Sequence, residues 1–281
     1  MRLFVDNLTN IDFSYLCPKR GLVGETWLAN IELTGEPDHQ GMICDFGIVK
    51  KQLRQWLDSR LDHCLLVPGN ASSIGLRQND NQLSISLICQ DESRIDIESP
   101  ASAVSVINAP EVTPQSVARW CEDALGQAFS NAKLAISFSP EDIQSPYYHY
   151  SHGLKKHEGD CQRIAHGHRS KLLIWRNGVL SHELIRDWTN KWSDIYIATQ
   201  EDCVADTDEF MTFSYEASQG RFRLNIPRSR CYVIDTDTTV EHIAQHLAAK
   251  IGASYPNDDI VVKAFEGVGK GAIAESKKIG T

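Results

Sequence analysis

Three histidines and a cysteine stand close together in the second half of the chain: His152, Cys161, His166 and His168. Side chains alternate along a strand, so His166 and His168, separated by one residue, point to the same face of a sheet. Two imidazoles so placed suit a metal ion. A third from a neighbouring strand completes a three-nitrogen zinc site with an open position, the form zinc takes in catalysis. His152 is the candidate third ligand, and His157, in the loop between, is the alternative. A thiol beside such a metal is available for proton transfer or nucleophilic attack, which makes Cys161 a candidate catalytic group. His242 and His246 form an i,i+4 pair with no third partner and read as a solvated helix face.

The elements that must position these groups follow from periodicity. Strands are expected from Leu3 to about Leu16 and from about Glu25 to Thr34. An amphipathic helix runs from about Asp45, a plausible N-cap, to Leu61, and ends in Asp62-His63. Two short strands, Gln82 to Cys89 and Arg94 to Glu98, and an apolar run at Ala103 to Ile107 precede a second helix. That helix opens at Thr113-Pro114 and continues to about Phe129. A strand at Lys133 to Ser139 closes the first half, and Pro140 to Pro146 reads as a linker.

A similar order returns after it. Strands are expected at Tyr147 to Leu154 and His168 to Arg176, then a helix at about Ser181 to Trp192. Strands at Asp194 to Thr199, Glu209 to Tyr215, Phe222 to Asn225 and Cys231 to Ile234 lead to a helix from Thr239 to Ile251, capped by Gly252. A last strand, Asp259 to Phe265, runs into Glu266 and a glycine-rich tail.

The two halves align on their glycines. Gly24 lies 11 residues before Gly35, and Gly167 lies 11 before Gly178. In that register Val23 and Glu25 stand at the positions of His166 and His168. Aligning Thr113 with Thr239 sets Pro140 opposite Glu266, and a third anchor sets Asp62-His63 opposite Asp194-Ile195. The chain reads as an internal duplication of about 140 residues per unit, 1–143 and 144–281. The losses are complementary: the first unit keeps Asp62-His63 without the strand histidines, and the second keeps His152, Cys161, His166, His168 and Glu266. One class of site, assembled between unlike halves, is the simplest consequence.

The composition bounds the rest. The chain has 281 residues, 42% of them hydrophobic, and a formal net charge of −9. With no basic stretch to track phosphates, no nucleic-acid partner is expected. The eight cysteines show no C-x-x-C spacing. No basic-then-apolar leader is apparent, and no apolar run approaches the roughly 20 residues that span a bilayer. The expectation is a reduced, cytoplasmic protein with no membrane partner.

Several stretches resemble the 6-pyruvoyl-tetrahydropterin synthase and 6-carboxytetrahydropterin synthase family. In the first half they are Gly41-Met42-Ile43-Cys44-Asp45-Phe46, Leu61-Asp62-His63 and the helix start from Thr113 to Trp120. In the second they are Ser151-His152-Gly153-Leu154, Cys161, His166-Gly167-His168 and Val262-Lys263-Ala264-Phe265-Glu266. The resemblance implies an α+β fold: two tandem tunnelling-fold (T-fold) units, each an antiparallel sheet with two helices on one face, assembling into a β-barrel oligomer. It implies that His152, His166 and His168 hold zinc, that Cys161 with Asp62 and His63 performs proton transfer, and that Glu266 anchors a pterin, with Thr238 and Thr239 in the substrate site.

The implied activity is that of a zinc-dependent carbon–oxygen lyase, a pterin synthase acting on dihydroneopterin triphosphate or a related pterin. Aldolase-like cleavage of a dihydroneopterin side chain and non-catalytic pterin or purine binding are the alternatives. Departures from the family are the four residues between Cys161 and His166 and the tandem arrangement itself. If unlike halves alternate around a ring, the expected assembly is a homodimer or dimer of dimers, with a trimer as the alternative.

Overall fold

The structure, a computed structural model, describes residues 1–126 and 132–278. Phe129, the expected end of the second helix, lies outside the described residues. In the first half a long antiparallel hairpin of β1 (Arg2–Cys17) and β2 (Gly21–Thr34) is followed by α1 (Phe46–Arg60) and β3 (Leu65–Pro68). Three further strands come next, β4 (Ile74–Asn79), β5 (Gln82–Ile88) and β6 (Arg94–Pro100). The half closes with β7 (Val104–Ile107), α2 (Pro114–Leu125) and β8 (Lys133–Pro140). Asp45 caps α1 by accepting from the Gly47 and Ile48 amides, and Thr113 with Ser116 forms a capping box at α2, so each helix starts where its first free N–H groups find a side-chain oxygen.

The second half repeats this order with β9 (Tyr147–His152), β10 (His166–Arg176), a short β11 (Val179–Leu180), α3 (His182–Lys191) and β12 (Ile195–Thr199). Three strands again intervene, β13 (Cys203–Asp206), β14 (Phe210–Ala217) and β15 (Gly220–Pro227). Then follow β16 (Cys231–Ile234), α4 (Val240–Ser254), β17 (Ile260–Phe265) and β18 (Gly271–Ser276).

Three sheets result. One has the order β7-β3-β1-β2-β8 and another β16-β12-β9-β10-β17-β18, so corresponding elements occupy corresponding places. The expectation of an antiparallel sheet in each unit does not hold: β3 is parallel to β1 and to β7, and β12 is parallel to β9 and to β16. Parallel neighbours need a crossover, and the chain supplies one by leaving the sheet after β3 and after β12 to build three strands. Those excursions meet in the third sheet, β13-β14-β15-β6-β5-β4, joined across the halves where β6 pairs with β15.

Each helix pair covers one face of its sheet. Phe13, Trp27 and Ile31 pack with Val49, Leu53 and Leu57 of α1 and Val117 and Cys121 of α2, whereas Tyr148, Leu172 and Val262 pack with Ile185 of α3 and Ile243 and Leu247 of α4. A third core lies under the joined sheet, around Leu65, Ile85, Ile97, Tyr196, Phe213 and Leu224. Gly252 is not the cap of α4, which runs on to Ser254; a Cβ there would collide with Ser276 of β18, so the glycine lets the tail strand close on the helix.

The two main sheets meet on their helix-free faces. At the crossing, a Cβ on Gly24 would lie 1.8 Å from the Tyr150 carbonyl oxygen, and one on Gly167 would lie 2.7 Å from the Gly24 Cα. The hydroxyls of Ser14 and Ser151 are 2.7 Å apart in the same layer, and the Arg169 amide donates to Thr26 Oγ1. Backbones so close cannot accept a methyl group without moving apart. Gly24→Ala should therefore destabilise the protein by about 3 kcal/mol or more, read from the denaturant midpoint, whereas Gly178→Ala, at a turn with nothing within 4 Å of its Cβ position, should show only the smaller strain of its positive φ.

Candidate active site

His152 at the end of β9 faces His166 and His168 at the start of β10, because His166 pairs directly with His152 in the antiparallel register. All three are at most 1% exposed. Their outward nitrogens face oxygens. His152 Nδ1 donates to the Thr238 carbonyl (2.9 Å) and lies 3.1 Å from its hydroxyl, and His166 Nδ1 donates to the Arg163 carbonyl (2.8 Å). His168 Nδ1 faces Asp12 Oδ1 at 3.2 Å, although its geometry falls short of a hydrogen bond. These partners put the proton of each ring on Nδ1 and leave the Nε2 lone pairs free.

The free nitrogens converge. His152 Nε2 and His168 Nε2 are 3.3 Å apart, and one ligand nitrogen from each of the three rings falls within a 4.8 Å set. Two bare lone pairs at that distance repel unless a cation stands between them. Two ligands at about 2.0–2.1 Å from one tetrahedral ion are about 3.3–3.4 Å apart, so this donor set fits a divalent metal. Burial first, and then the neighbouring imidazoles, hold the His152 and His166 pKa values well below the ordinary one, which keeps the rings in the neutral form that a metal requires. His157 is exposed and is not part of the cluster.

The proton-transfer candidates arrive from the other half. Asp62 and His63 follow α1, and His63 turns in a left-handed conformation (φ 54°) that histidine tolerates better than most residues. Its amide donates to the Asp12 carbonyl at 2.6 Å, and its Nδ1 is 2.6 Å from Asp62 Oδ2. Asp62 in turn accepts from the Asp12 amide at 2.8 Å. The far side of the His63 ring meets Cys161: ligand atoms of His63, Cys161 and His166 lie within 4.8 Å of one another. Burial would lower the His63 pKa, but the Asp62 and Cys161 contacts outweigh it and push it up to about 10.

Cys161 is held by its neighbours. Gln162 is buried, bonded through its amide to Ser218 and Gln219 on the β14–β15 turn, while its carbonyl accepts from the Tyr215 hydroxyl. Arg163, 6% exposed, reaches Cys64 Sγ and the carbonyls of Asp62 and His63 in the first half, Gln219 in the third sheet and Asp160 in its own loop. One arginine thus ties the cysteine loop, His166 and the Asp62-His63 pair together.

Glu266 directly follows β17, with Oε1 3.8 Å from His168 Nε2 and Oε2 3.9 Å from Lys270 Nζ; Lys270 also lies 3.3 Å from Asp12 Oδ2. Thr238, expected against substrate, is fully buried, with its carbonyl and hydroxyl turned to His152. Thr239 caps α4 by accepting from the His242 amide. His242 and His246 are not a solvated pair: His242 Nδ1 is 3.0 Å from the Asp237 carbonyl and His246 Nε2 is 2.8 Å from the Tyr232 hydroxyl. Sequence reasoning missed Asp12 and Arg163. Asp12 gave no signal, because in Ile11-Asp12-Phe13-Ser14-Tyr15 it stands at an ordinary polar position of the alternation.

The corresponding place in the first half is built differently. Ser14 pairs with Gly24 as Ser151 pairs with Gly167, which sets Tyr15, Val23 and Glu25 at the positions of His152, His166 and His168. Leu65 beside Ser14 corresponds to Tyr196 beside Ser151. His63 therefore corresponds to Asp194, not to Ile195 as the sequence alignment had it, and both residues have φ 54°. Arg20 fills this place, with two bonds to Asp194 (2.9 and 2.5 Å) and one to the Tyr15 hydroxyl (2.9 Å). Glu25, its pKa raised to about 7 mainly by burial, lies 3.9 Å from His149.

Residues 17–137 match the family model of 6-pyruvoyl tetrahydropterin synthase. That stretch of the chain is thus similar to the tetrahydropterin synthase family. The match takes in Asp62 and His63 and stops short of the three histidines. A protein assigned as a 6-carboxy-5,6,7,8-tetrahydropterin synthase in Pyrococcus abyssi is 28% identical over 115 residues, 41% of this chain and 64% of that protein; the chain spans somewhat under two thirds of that relative's length. Solved 6-pyruvoyl tetrahydropterin synthase structures from Plasmodium vivax (18% identity, 50% of this chain and 93% of that one) and Plasmodium falciparum (17%, 50% and 90%) align with a TM-score of 0.41 each.

Two outcomes follow from this geometry. His63, whose folded pKa is raised, contributes stability that is fully present below its unfolded value of about 6.5 and is lost as pH rises through about 10. Metal-free wild type should therefore exceed His63→Gln in melting temperature near pH 6 and converge with it at the alkaline end. Asp12 orients His168 from the opposite half, so Asp12→Asn should weaken divalent-metal binding by about 10- to 100-fold in a chelator competition, with the fold retained by circular dichroism.

Proposed function

We propose that the chain is a zinc-dependent pterin synthase of the carbon–oxygen lyase type, built as a tandem duplication of two T-fold units, 1–143 and 144–281. The observation that carries this reading is the meeting of His63 from one half with Cys161 and three convergent histidines from the other. His152, His166 and His168 would hold the zinc. When bound, it supplies Lewis acidity to oxygens on the three-carbon side chain of a dihydropterin.

The residues of the chain do the rest. Cys161, beside His63, takes the carbon-bound proton of the side chain. His63 shares that proton across the Cys161 contact, and Asp62 on Nδ1 keeps the ring oriented and stabilises its charged form. Glu266 presents two acceptor oxygens to the ring N–H and exocyclic amine of the pterin, a pair of parallel donors that a carboxylate matches. Lys270 beside Glu266 neutralises part of the acidic wall made by Asp12 and Glu266. Thr238 acts behind His152, and Thr239 shapes the start of α4 beside it. Copies would join through the free edge strands of the third sheet, β4 and β13, to give a homo-oligomer.

Incubation of the zinc-loaded protein with dihydroneopterin triphosphate, followed by mass spectrometry, tests the reading. Loss of triphosphate marks pyruvoyl-type synthesis, loss of a side-chain fragment marks carboxy-type or aldolase-like cleavage, and an unaltered ligand marks a binding protein. Cys161→Ala should lower turnover by about 10²- to 10⁴-fold while leaving pterin binding in place. A variant that turns over at the wild-type rate would sink the proton-transfer role.

A further inference from the structure

The three-histidine set is not the only group of donors in the site. His63, Cys161 and His166 form a second set, their ligand atoms within 4.8 Å of one another, and it shares His166 with the first. We propose that, with His166 committed to the first ion, His63 and Cys161 of this set form a weaker, inhibitory metal site, which takes a divalent ion such as zinc or cobalt when metal is in excess.

The donor chemistry supports such an ion. A thiolate and an imidazole are ligands that zinc and cobalt accept, with water completing the shell. Each imidazole is already braced on its other nitrogen, His63 by Asp62 at 2.6 Å and His166 by the Arg163 carbonyl at 2.8 Å, the outer-shell arrangement that strengthens metal-binding histidines. Cys161 is only partly buried, so an ion can reach it.

The shared residue sets the order of binding. His166 Nε2 has one lone pair, and an ion held by His152, His166 and His168 uses it. A second ion then has His63 and Cys161 with water, and binds more weakly than the first. Its binding forms a sulfur–metal bond and sends to solvent the one proton held between Cys161 and His63; no electrons move. Because the second ion occupies both proton-transfer groups, turnover falls. That consequence rests on the function proposed above, but the binding itself does not.

Cobalt distinguishes the two. The full chain, stripped of metal and reloaded with one equivalent of cobalt, should show ligand-field bands without thiolate-to-cobalt charge transfer. Further cobalt should add the charge-transfer band, and the band should be absent from Cys161→Ser and need at least about tenfold more cobalt in His63→Gln. In parallel, excess zinc should protect Cys161, alone among the eight cysteines, from alkylation read by peptide mass spectrometry, a measurement on the unmodified sequence that stands if a variant misfolds. Excess zinc should also lower turnover by about 10²-fold. No charge transfer at several equivalents, or a band unchanged in Cys161→Ser, overturns the second site. A band that saturates with the first equivalent also overturns it, because the thiol then belongs to the primary site. Charge transfer and protection without pterin turnover leave the second site standing and count against the proposed reaction.

Discussion

Everything in the site depends on how closely the two main sheets approach. Gly24 and Gly167 lie with almost no space between their backbones, flanked by the Ser14–Ser151 contact. That contact adds about 1 kcal/mol of net stability; its larger effect is geometric. With the helix-free faces pressed together, β1 of the first half runs beside the histidine strands of the second, and Asp12 comes within 3.2 Å of His168. The Asp12 carbonyl and amide then hold His63 and Asp62. One strand residue therefore braces His168 with its side chain and the Asp62-His63 pair with its backbone.

The same scaffold supports two different electrostatic solutions. In the second half, three imidazoles converge on space for a cation. In the first, Arg20 brings the cation on a side chain and Asp194 stands where His63 would. Either arrangement offsets the cost of burying polar groups. The loop explains the divergence: β1 turns into β2 through a short connection at Gly21, while β9 and β10 are separated by the segment that carries Cys161 and Arg163.

Much of this was legible in the sequence because it depends on local pattern. The period of Trp27, Ala29, Ile31 and Leu33, the Asp45 and Thr113 caps, and the His-Gly-His alternation each follow from nearest-neighbour geometry. What escaped was non-local. β3 is a run of four buried residues without alternation, and β18 lies in a glycine-rich tail that becomes a strand only by pairing with β17. The joined third sheet depends on strands far apart in the chain. The one-residue slip that set Asp62-His63 against Asp194-Ile195 arose because α1 and α3 differ in length, and only the strand register corrects it. Thr238 carried no sign in the sequence that it would turn inward to His152.

Arg163 has a consequence for how the site exists in solution. In an assembly where His63 and Cys161 come from separate molecules, the fraction of complete sites falls as the protein is diluted. Here both groups belong to one covalent chain, and the guanidinium that bridges them acts within it. The second half meets the first at a local concentration set by the connecting segment rather than by the amount of protein. The site stays complete at any dilution that leaves the chain folded, and each half is free to specialise without ever meeting a copy that lacks its counterpart.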